Sequence, residues 1–244
     1  MNKSLKIAKM NFVDVIKAVG VFYLILLVVL TGLFSISAFS NGNSSTSGLE
    51  IASMIFIFVC GLNSFKENFY FAQSNNISRK SFLGGIILSI FPVAIIMAII
   101  DFIINRIMNL FMSTPSLYDI GYTVLRTFDN WSLRNEWVQS NSILTIINTI
   151  LLAFVIYCFA YILGLVINMI YFRCNTIMKI AVSVIGGSLL MTILSDIYFF
   201  KGLALIFGIN TQNVYMGVLV SIVIFIILAG VSYLIIKEAT IKEK

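Results

Sequence analysis

Histidine is absent from this 244-residue sequence. Its absence excludes serine–histidine and cysteine–histidine catalysis and removes the commonest metal ligand. Cysteine is scarce as well: Cys60, Cys158 and Cys174 lie in or beside apolar runs and form no C-x-x-C pair. A disulfide framework or a zinc site is therefore not expected, and we interpret these cysteines as small apolar side chains. The sequence predicts no catalytic residue and no metal site.

Charged residues are also few. They make up 11% of the chain, whereas 60% of the residues are hydrophobic and the mean hydropathy is +1.03. Ordinary soluble domains are roughly 25% charged, and a soluble domain of this length could not bury so much apolar surface. A lipid bilayer removes the need to bury it. Long unbroken apolar runs favour a helical bundle, since the strands of a membrane barrel would alternate apolar and polar residues.

Six apolar runs predict six transmembrane helices. Each run is close to the length of about 20 residues that a span requires. The expected fold class is all-α, a polytopic membrane protein with one transmembrane domain over residues 18–244. The six spans are expected at about 18–38, 49–65, 82–104, 143–170, 180–200 and 214–236.

Residues 1–17 precede the first span and are amphipathic. Their lysines share one side of a helix, and an apolar stripe occupies the other. This pattern predicts an interfacial helix whose lysines face anionic lipid. A basic tail that only sets the topology is the alternative. The apolar stripe comprises Leu5, Ala8, Phe12, Val15, Ile16 and Val19.

The distribution of positive charge orients the six spans. If the N-terminus is inside, only four of the 16 lysines and arginines fall outside, namely Arg106, Arg126, Arg134 and Lys201. Cytoplasmic segments carry the excess of lysine and arginine in membrane proteins. We therefore expect both the N- and the C-terminus on the cytoplasmic side.

The segment 66–81, called the elbow below, is the most informative part of the sequence. Residues 66–73 can extend the second span as a helix, and Ser74-Asn75-Asn76 favours a turn. Ser78 is placed to cap the next helix. A short charged elbow at the membrane surface suits docking to a cytoplasmic partner. An ordinary loop whose charges only set the topology is the alternative.

The elbow resembles the first cytoplasmic loop of small ATP-binding-cassette (ABC) exporter permeases of the type-2 class. That loop often reads as an acidic residue, several aromatic residues, a turn, then Ser-Arg-Lys and an aromatic residue. The corresponding residues here are Glu67, Phe69-Tyr70-Phe71, Asn75 to Lys80, and Phe82. Family members often have glycine at the position of Asn76, and asparagine also tolerates a left-handed turn. The basic start, the six spans and the shorter second cytoplasmic loop also fit the family layout.

The resemblance implies a permease subunit that pairs with a separate cytoplasmic ABC ATPase and with a second permease copy, identical or different. The ATPase would bind ATP and Mg²⁺, and this chain contains no G-x-x-x-x-G-K-[ST] motif and is expected to hold no cofactor. A second cytoplasmic contact is expected in the loop 171–179, at Arg173 and Lys179. The expected ATPase-coupling residues are Lys66, Glu67, Phe69, Tyr70, Phe71, Asn76, Ser78, Arg79 and Lys80.

The expected cargo is hydrophobic or amphipathic. By size and layout the chain is similar to bacterial exporters of cytolytic or antimicrobial peptides, including phenol-soluble-modulin exporters and lantibiotic-immunity transporters. The expected location is the bacterial plasma membrane, where the other partner is lipid, and no nucleic acid is expected to bind.

The outer segment 105–141 is the second region of interest. Apolar residues recur there at helical spacing, followed by both tryptophans of the chain. A helix in or on the outer leaflet could gate the exit of amphipathic cargo, and a membrane-anchoring loop is the alternative. The candidate gate residues are Leu117, Val124, Phe128, Trp131 and Trp137.

Other functions stay open. The chain could be an immunity or scaffold protein, an ion-coupled secondary transporter or, least favoured, an intramembrane enzyme. Asp101 and Asp196 are expected near the outer ends of spans, so the sequence shows no deep carboxylate for a proton relay. Two pairs of small residues, Ala160 with Gly164 and Gly217 with Ser221, are expected at closely packed helix faces.

Overall fold

The computed structural model of the protein describes residues 3–39, 48–123 and 139–237. Within these ranges the only regular secondary structure is α-helix, which confirms the all-α prediction. In chain order the described helices are α1 (Lys3–Phe39), α2 (Leu49–Asn63), α3 (Lys66–Ser74), α4 (Arg79–Met108), α5 (Leu117–Tyr122), α6 (Ile143–Arg173), α7 (Thr176–Ser195), α8 (Ile197–Ile206) and α9 (Val214–Lys237).

Five helical segments in the described residues are long and apolar enough to cross a membrane. They correspond to the predicted spans one, two, three, four and six, and they support a membrane protein that spans the bilayer several times. Their bounds are Lys3–Ser35, Leu49–Ser74, Arg79–Met108, Ile143–Arg173 and Val214–Lys237.

The segment predicted as a fifth span, residues 180–200, is divided in the structure. The helix α7 ends at Ser195 and α8 begins at Ile197, and Asp196 lies between them. The Asp196 carboxylate accepts a hydrogen bond from the backbone N–H of Tyr198 at 2.9 Å, so it caps α8. The start of α8 falls inside the predicted span, and most of α8 falls in the predicted loop 201–213.

The first helix differs from the prediction of a separate interfacial helix over residues 1–17. The helix α1 runs from Lys3 to Phe39 without a break. The helix packs along α4, and Ala8, Val15 and Val19 of its apolar stripe are buried, whereas Leu5 is exposed. A Cβ atom built on Gly85 of α4 would lie 2.6 Å from the Ser4 carbonyl oxygen and 2.8 Å from Ile7 Cβ, so the two backbones lie very close. The sequence pattern showed the amphipathic face, but it did not show that protein covers part of this face.

The helix α6 lies at the centre of the bundle and packs against α2, α4 and α9. Gly61 of α2 meets the α6 backbone, where a built Cβ would lie 3.2 Å from the Leu165 nitrogen. Gly164 of α6 meets the α2 backbone in turn, where a built Cβ would lie 2.9 Å from the Leu62 nitrogen. The predicted small-residue face at Gly164 is therefore a contact within this chain. Close backbone approach at small residues is the usual way that membrane helices associate.

The elbow defines one end of the bundle. The Lys3 ammonium donates to the Asn76 carbonyl oxygen at 3.2 Å, and the Arg79 guanidinium donates to the Lys237 carbonyl oxygen at 2.5 Å. The start of α1 and the end of α9 therefore lie at the same end of the bundle, beside the elbow.

The opposite end of the bundle is built around α5. The Tyr122 hydroxyl donates to the Phe207 carbonyl oxygen at 2.9 Å, which joins α5 to the residue after α8. The guanidinium of Arg106, near the end of α4, donates to the Ser140 carbonyl oxygen at 3.1 Å and to Asn141 Oδ1 at 2.7 Å. The start of α6 therefore lies at this end, away from the elbow.

Candidate functional site

The elbow begins where the second span bends. The Ser64 hydroxyl bonds the Cys60 carbonyl oxygen at 2.6 Å, and Ser64 Oγ lies 2.5 Å from the Tyr161 hydroxyl oxygen. Such side-chain bonds to the preceding helical turn compete with the helical ladder. The helix α2 ends at Asn63, and α3 begins at Lys66 after two residues, Ser64 and Phe65. The sequence predicted a continuous extension of the second span, and the break at Ser64 is the difference.

The turn at the end of α3 is the one that the sequence predicted. Asn76 has φ 50°, in the left-handed region. Its N–H donates to the Gln73 carbonyl oxygen at 3.1 Å, and the Ile77 N–H donates to the Ala72 carbonyl oxygen at 2.9 Å. These two bonds form a Schellman motif, in which Asn76 occupies the position that usually holds glycine. The predicted cap of α4 is also present, since Ser78 Oγ accepts from the backbone N–H of Ser81 at 3.2 Å.

An aromatic cluster supports the inner side of α3. Phe69 is fully buried, and its ring centroid lies 5.1 Å from that of Phe65, 5.5 Å from that of Phe82 and 5.7 Å from that of Phe172. Phe69 was predicted as an ATPase-coupling residue, and the structure places it on the inner side of α3 rather than on its accessible surface. Three consecutive aromatic residues in the sequence do not show by themselves which of them turns inward.

The outer side of α3 is charged and aromatic. Lys66 and Glu67 are exposed in its first turn. Tyr70 is 39% exposed and Phe71 is 50% exposed. Four of the predicted coupling residues therefore form one accessible surface, which we call the outer face of α3. Aromatic side chains beside charges on a rigid base are typical of residues that anchor protein interfaces.

Phe69→Ala and Phe71→Ala are expected to differ sharply in their effect on folding. The first removes a fully buried ring from the aromatic cluster and should cost about 3–5 kcal/mol of folding stability. The second shortens an exposed side chain and should change stability by less than about 0.5 kcal/mol. Thermal unfolding of the two variants in the same detergent measures the difference, and equal melting temperatures would contradict the assigned orientation of α3.

The remaining predicted elbow residues make contacts within this chain. Arg79 bonds the end of α9, as described above, and the Lys80 ammonium lies 5.9 Å from the centroid of the Tyr233 ring, also in α9. The Asn76 carbonyl oxygen accepts from Lys3. These residues connect α1, α4 and α9 to the elbow, so a force on the elbow acts on three long helices.

A buried polar network lies beneath the elbow. Asn11 of α1 donates to Ser89 Oγ of α4 and to the Tyr161 hydroxyl oxygen of α6, both at 2.7 Å. Asn68 of α3 donates to Asn11 Oδ1 at 3.2 Å and to the Ser64 carbonyl oxygen at 3.0 Å. The network joins the elbow to the interior of the bundle through side chains that have specific partners.

The sequence analysis did not identify Asn11, although a signal was present. Asn11 is four residues from Ile7 and four from Val15, in the middle of the stripe that is buried in α1. A single asparagine within an apolar helical stripe is typical of an interhelical hydrogen bond.

The predicted second cytoplasmic contact lies partly beside the elbow. Arg173 is the last residue of α6 and follows Phe172, whose ring centroid lies 5.8 Å from that of Tyr70. Lys179 lies within α7 and is exposed. Because α7 begins at Thr176, the connection that was predicted as a loop over 171–179 consists of two residues, Cys174 and Asn175.

One of the five candidate gate residues falls in the described part of the chain. Leu117 begins α5 and is partly buried. Ser116 and Asp119 form a capping box at the start of this helix, in which the Asp119 carboxylate accepts from the Ser116 N–H at 3.1 Å. The other four candidates lie outside the described residues, namely Val124, Phe128, Trp131 and Trp137.

Asp101 was expected near the outer end of a span, and the sequence showed no deep carboxylate, but the structure buries this one. It is only 1% exposed and lies between α1, α2, α4 and α6. Its Oδ1 atom accepts from the Tyr23 and Ser53 hydroxyls, both at 2.9 Å, and its Oδ2 atom accepts from the Tyr157 hydroxyl. The chain therefore contains a deeply buried carboxylate. The sequence could not show it, because the three donors come from three other helices.

Comparison with protein-family models, with curated proteins and with solved structures finds no match. In the described residues, no group of three or more acidic or cysteine side chains could hold a metal ion. The fold places the chain among membrane proteins with several membrane-spanning helices, and the arguments for its function rest on the elbow and on the buried polar groups.

Proposed function

We propose that this chain is the permease subunit of an ATP-driven ABC exporter in the bacterial plasma membrane. The observation that carries the proposal is the outer face of α3, with Lys66, Glu67, Tyr70 and Phe71 exposed on a firmly supported helix at one end of the bundle. The surface has the size and chemistry of a helix that docks into a groove of a cytoplasmic ATPase.

We propose that the chain crosses the bilayer six times, with both termini inside. The helix α6 ends beside the elbow, whereas α9 begins near Tyr122 at the opposite end, where Val214 belongs to the same apolar cluster. Residues 174–213 must therefore connect the two ends. At 1.5 Å per residue, the 20 residues of α7 measure about 30 Å, which matches the hydrocarbon thickness of a bilayer.

The coupling step follows from these contacts. Closure of the ATPase around ATP would displace α3, and the aromatic cluster beneath it would transmit the displacement to α4 and α6. The polar network would transmit it to α1 through Asn11, and Arg79 would transmit it to α9. If two permease copies moved in this way, the pathway of an amphipathic cargo would open alternately to the two sides of the membrane. Leu117 is a candidate residue of the outer gate. ATP and Mg²⁺ would be bound by the partner.

Charge reversal on the outer face of α3 tests the proposal. Glu67→Arg should weaken the complex with the proposed ABC ATPase partner at least about tenfold, because it places an unmatched charge in the interface. Phe71→Ala should weaken it to a similar degree, since it removes an aromatic anchor. Affinity purification in detergent and cargo-stimulated ATP hydrolysis measure the two effects.

Lys201→Glu provides the matched control, because it reverses an exposed charge on α8 without touching the elbow. It should leave the complex intact. If Glu67→Arg and Phe71→Ala bind the ATPase and stimulate hydrolysis as the unaltered protein does, α3 is not the coupling helix.

An ion-coupled secondary transporter is the second candidate, and the buried carboxylate of Asp101 favours it. Ionisable groups inside a membrane bundle usually mark a transport pathway. Transport that persists in vesicles without any ATPase, and that collapses when the ion gradient is dissipated, would support this candidate over the exporter.

A further inference from the structure

Glu50 lies in the first turn of α2, at the end of the bundle opposite the elbow, and is 3% exposed. Its Oε1 atom accepts a long hydrogen bond from the backbone N–H of Leu117 at 3.4 Å, and its own backbone N–H also interacts with the carboxylate. Its Oε2 atom is buried and has no hydrogen-bond partner among the described residues. An ionised carboxylate in this position would be costly, because nothing replaces the water that Oε2 loses on burial.

Two other buried carboxyl groups interact electrostatically with Glu50. They are Asp101 of α4 and Asp119 of α5. Tyr157 of α6 also interacts with Glu50, and Tyr23 of α1 donates a hydrogen bond to Asp101. Within the described ranges, the titratable groups that interact with Glu50 thus include Asp101, Asp119 and Tyr157, and Tyr23 contacts Asp101.

Arg106 is a basic group that interacts with this cluster, through Asp119. Its Nη1 atom donates to Ser140 and Asn141, and its Nε atom is buried without a partner among the described residues. Its Nη1 atom is therefore turned toward the start of α6.

The surroundings of Asp101 and Glu50 differ. Asp101 accepts hydrogen bonds from three hydroxyl groups, which stabilise its ionised form. One of these donors, Ser53, lies one helical turn after Glu50 on α2. Its hydroxyl donates to Asp101 and is therefore not available to Glu50. Glu50 has no comparable donor. When like charges share a buried site and only one has donors, the other takes up a proton.

We propose that Glu50 is a proton-binding site, protonated at neutral pH, in a buried group of carboxyl side chains with Asp101 and Asp119. Protonation removes the uncompensated charge of a carboxylate whose Oε2 atom has no hydrogen-bond partner among the described residues. The ligand is a proton. This site stands on the packing of α2, α4 and α5, so it does not depend on whether ATP or an ion gradient drives transport.

The proton also links the site to the position of α5. A neutral Glu50 allows the start of α5 to lie on α2, with Leu117 in contact with the carboxyl group. Release of the proton to water at this end of the bundle would leave three ionised carboxylates together, and their repulsion would favour separation of α5 from α2. The arrangement of this end is therefore expected to depend on pH, with the described packing favoured at lower pH.

Infrared spectroscopy of the full-length protein in lipid nanodiscs tests the proposal. At pH 7 the unaltered protein should show the carbonyl stretch of a protonated carboxylic acid shielded from water, and the band should disappear as the pH is raised. Glu50→Gln, which mimics the neutral acid, should fold and lack the band. Asp101→Asn keeps Glu50 and should retain it.

Isotope labelling assigns the infrared band to glutamate or to aspartate without a substitution. Protein grown with carboxyl-¹³C glutamate should show the band shifted to lower frequency, whereas ¹³C-labelled aspartate should leave it in place. A band that is absent at pH 7, that moves only with labelled aspartate, or that persists in Glu50→Gln would overturn the assignment. A band that appears only when sodium and potassium are removed would also overturn it, because Glu50 would then bind a monovalent cation.

Discussion

Gly61→Val is expected to prevent correct assembly of the bundle. The Cβ atom would collide with the Tyr161 carbonyl oxygen and lie 3.2 Å from the Leu165 nitrogen, both in the backbone of α6. Backbone atoms cannot rotate away as a side chain can, so α2 and α6 must separate. Overpacking a well-packed core costs about 1–3 kcal/mol, and we expect more than about 3 kcal/mol here because the obstacle is backbone. Separation would also pull α3 and the elbow away from their support.

The measurement is the yield of monodisperse protein in size-exclusion chromatography, followed by thermal unfolding. Gly20→Val is the matched control, because a Cβ atom at Gly20 meets nothing within 4 Å. It introduces the same side chain into a long membrane helix and should behave as the unaltered protein does. Equal behaviour of the two variants would mean that α2 and α6 do not cross at Gly61.

Asp101→Ala is also expected to destabilise the bundle. The substitution leaves the hydroxyls of Tyr23, Ser53 and Tyr157 without their common acceptor inside the bundle. An orphaned buried polar group costs about 1–3 kcal/mol. The substitution also removes the free-energy cost of burying a carboxylate, which offsets part of the loss. We therefore expect a net destabilisation of about 2–4 kcal/mol.

Asp101→Asn separates hydrogen bonding from charge. The asparagine keeps one acceptor oxygen at nearly the same position, so it should recover more than half of the stability that alanine loses. Thermal unfolding of both variants in one detergent makes the comparison. If alanine is as stable as the unaltered protein, the carboxylate does not hold α1, α2 and α6 together through these hydroxyls.

The sequence predicted local features of this protein better than contacts between helices. Asn76 and Ser78 act through backbone groups within a few residues, so the turn and the cap could be read from the chain itself. The orientation of Phe69 could not, because it depends on Phe172 of α6, which lies far away in sequence. Apolar periodicity is a partial signal only: Phe65, Phe69 and Ala72 recur at helical spacing, but the exposed Tyr70 and Phe71 are aromatic as well.

The buried carboxylates likewise depend on contacts between helices that the sequence does not show. Position along a span predicted Asp101 near the outer end of a transmembrane helix. The structure instead provides three hydroxyls from three other helices. Residues that are unremarkable in their own helices, such as Ser53, become informative only when the packing brings them together. For the same reason, nothing in the sequence indicated that Oε2 of Glu50 is buried without a hydrogen-bond partner among the described residues.

The bond between Arg79 and Lys237 has a consequence for biosynthesis. The two residues are 158 positions apart, so the ribosome makes the elbow long before the helix that completes it. Until α9 has been inserted, Arg79 lacks this carbonyl and Lys80 lacks the Tyr233 ring. A cytoplasmic protein that recognises the finished elbow would therefore distinguish completed chains from nascent or truncated ones, and assembly of the complex would follow the end of translation.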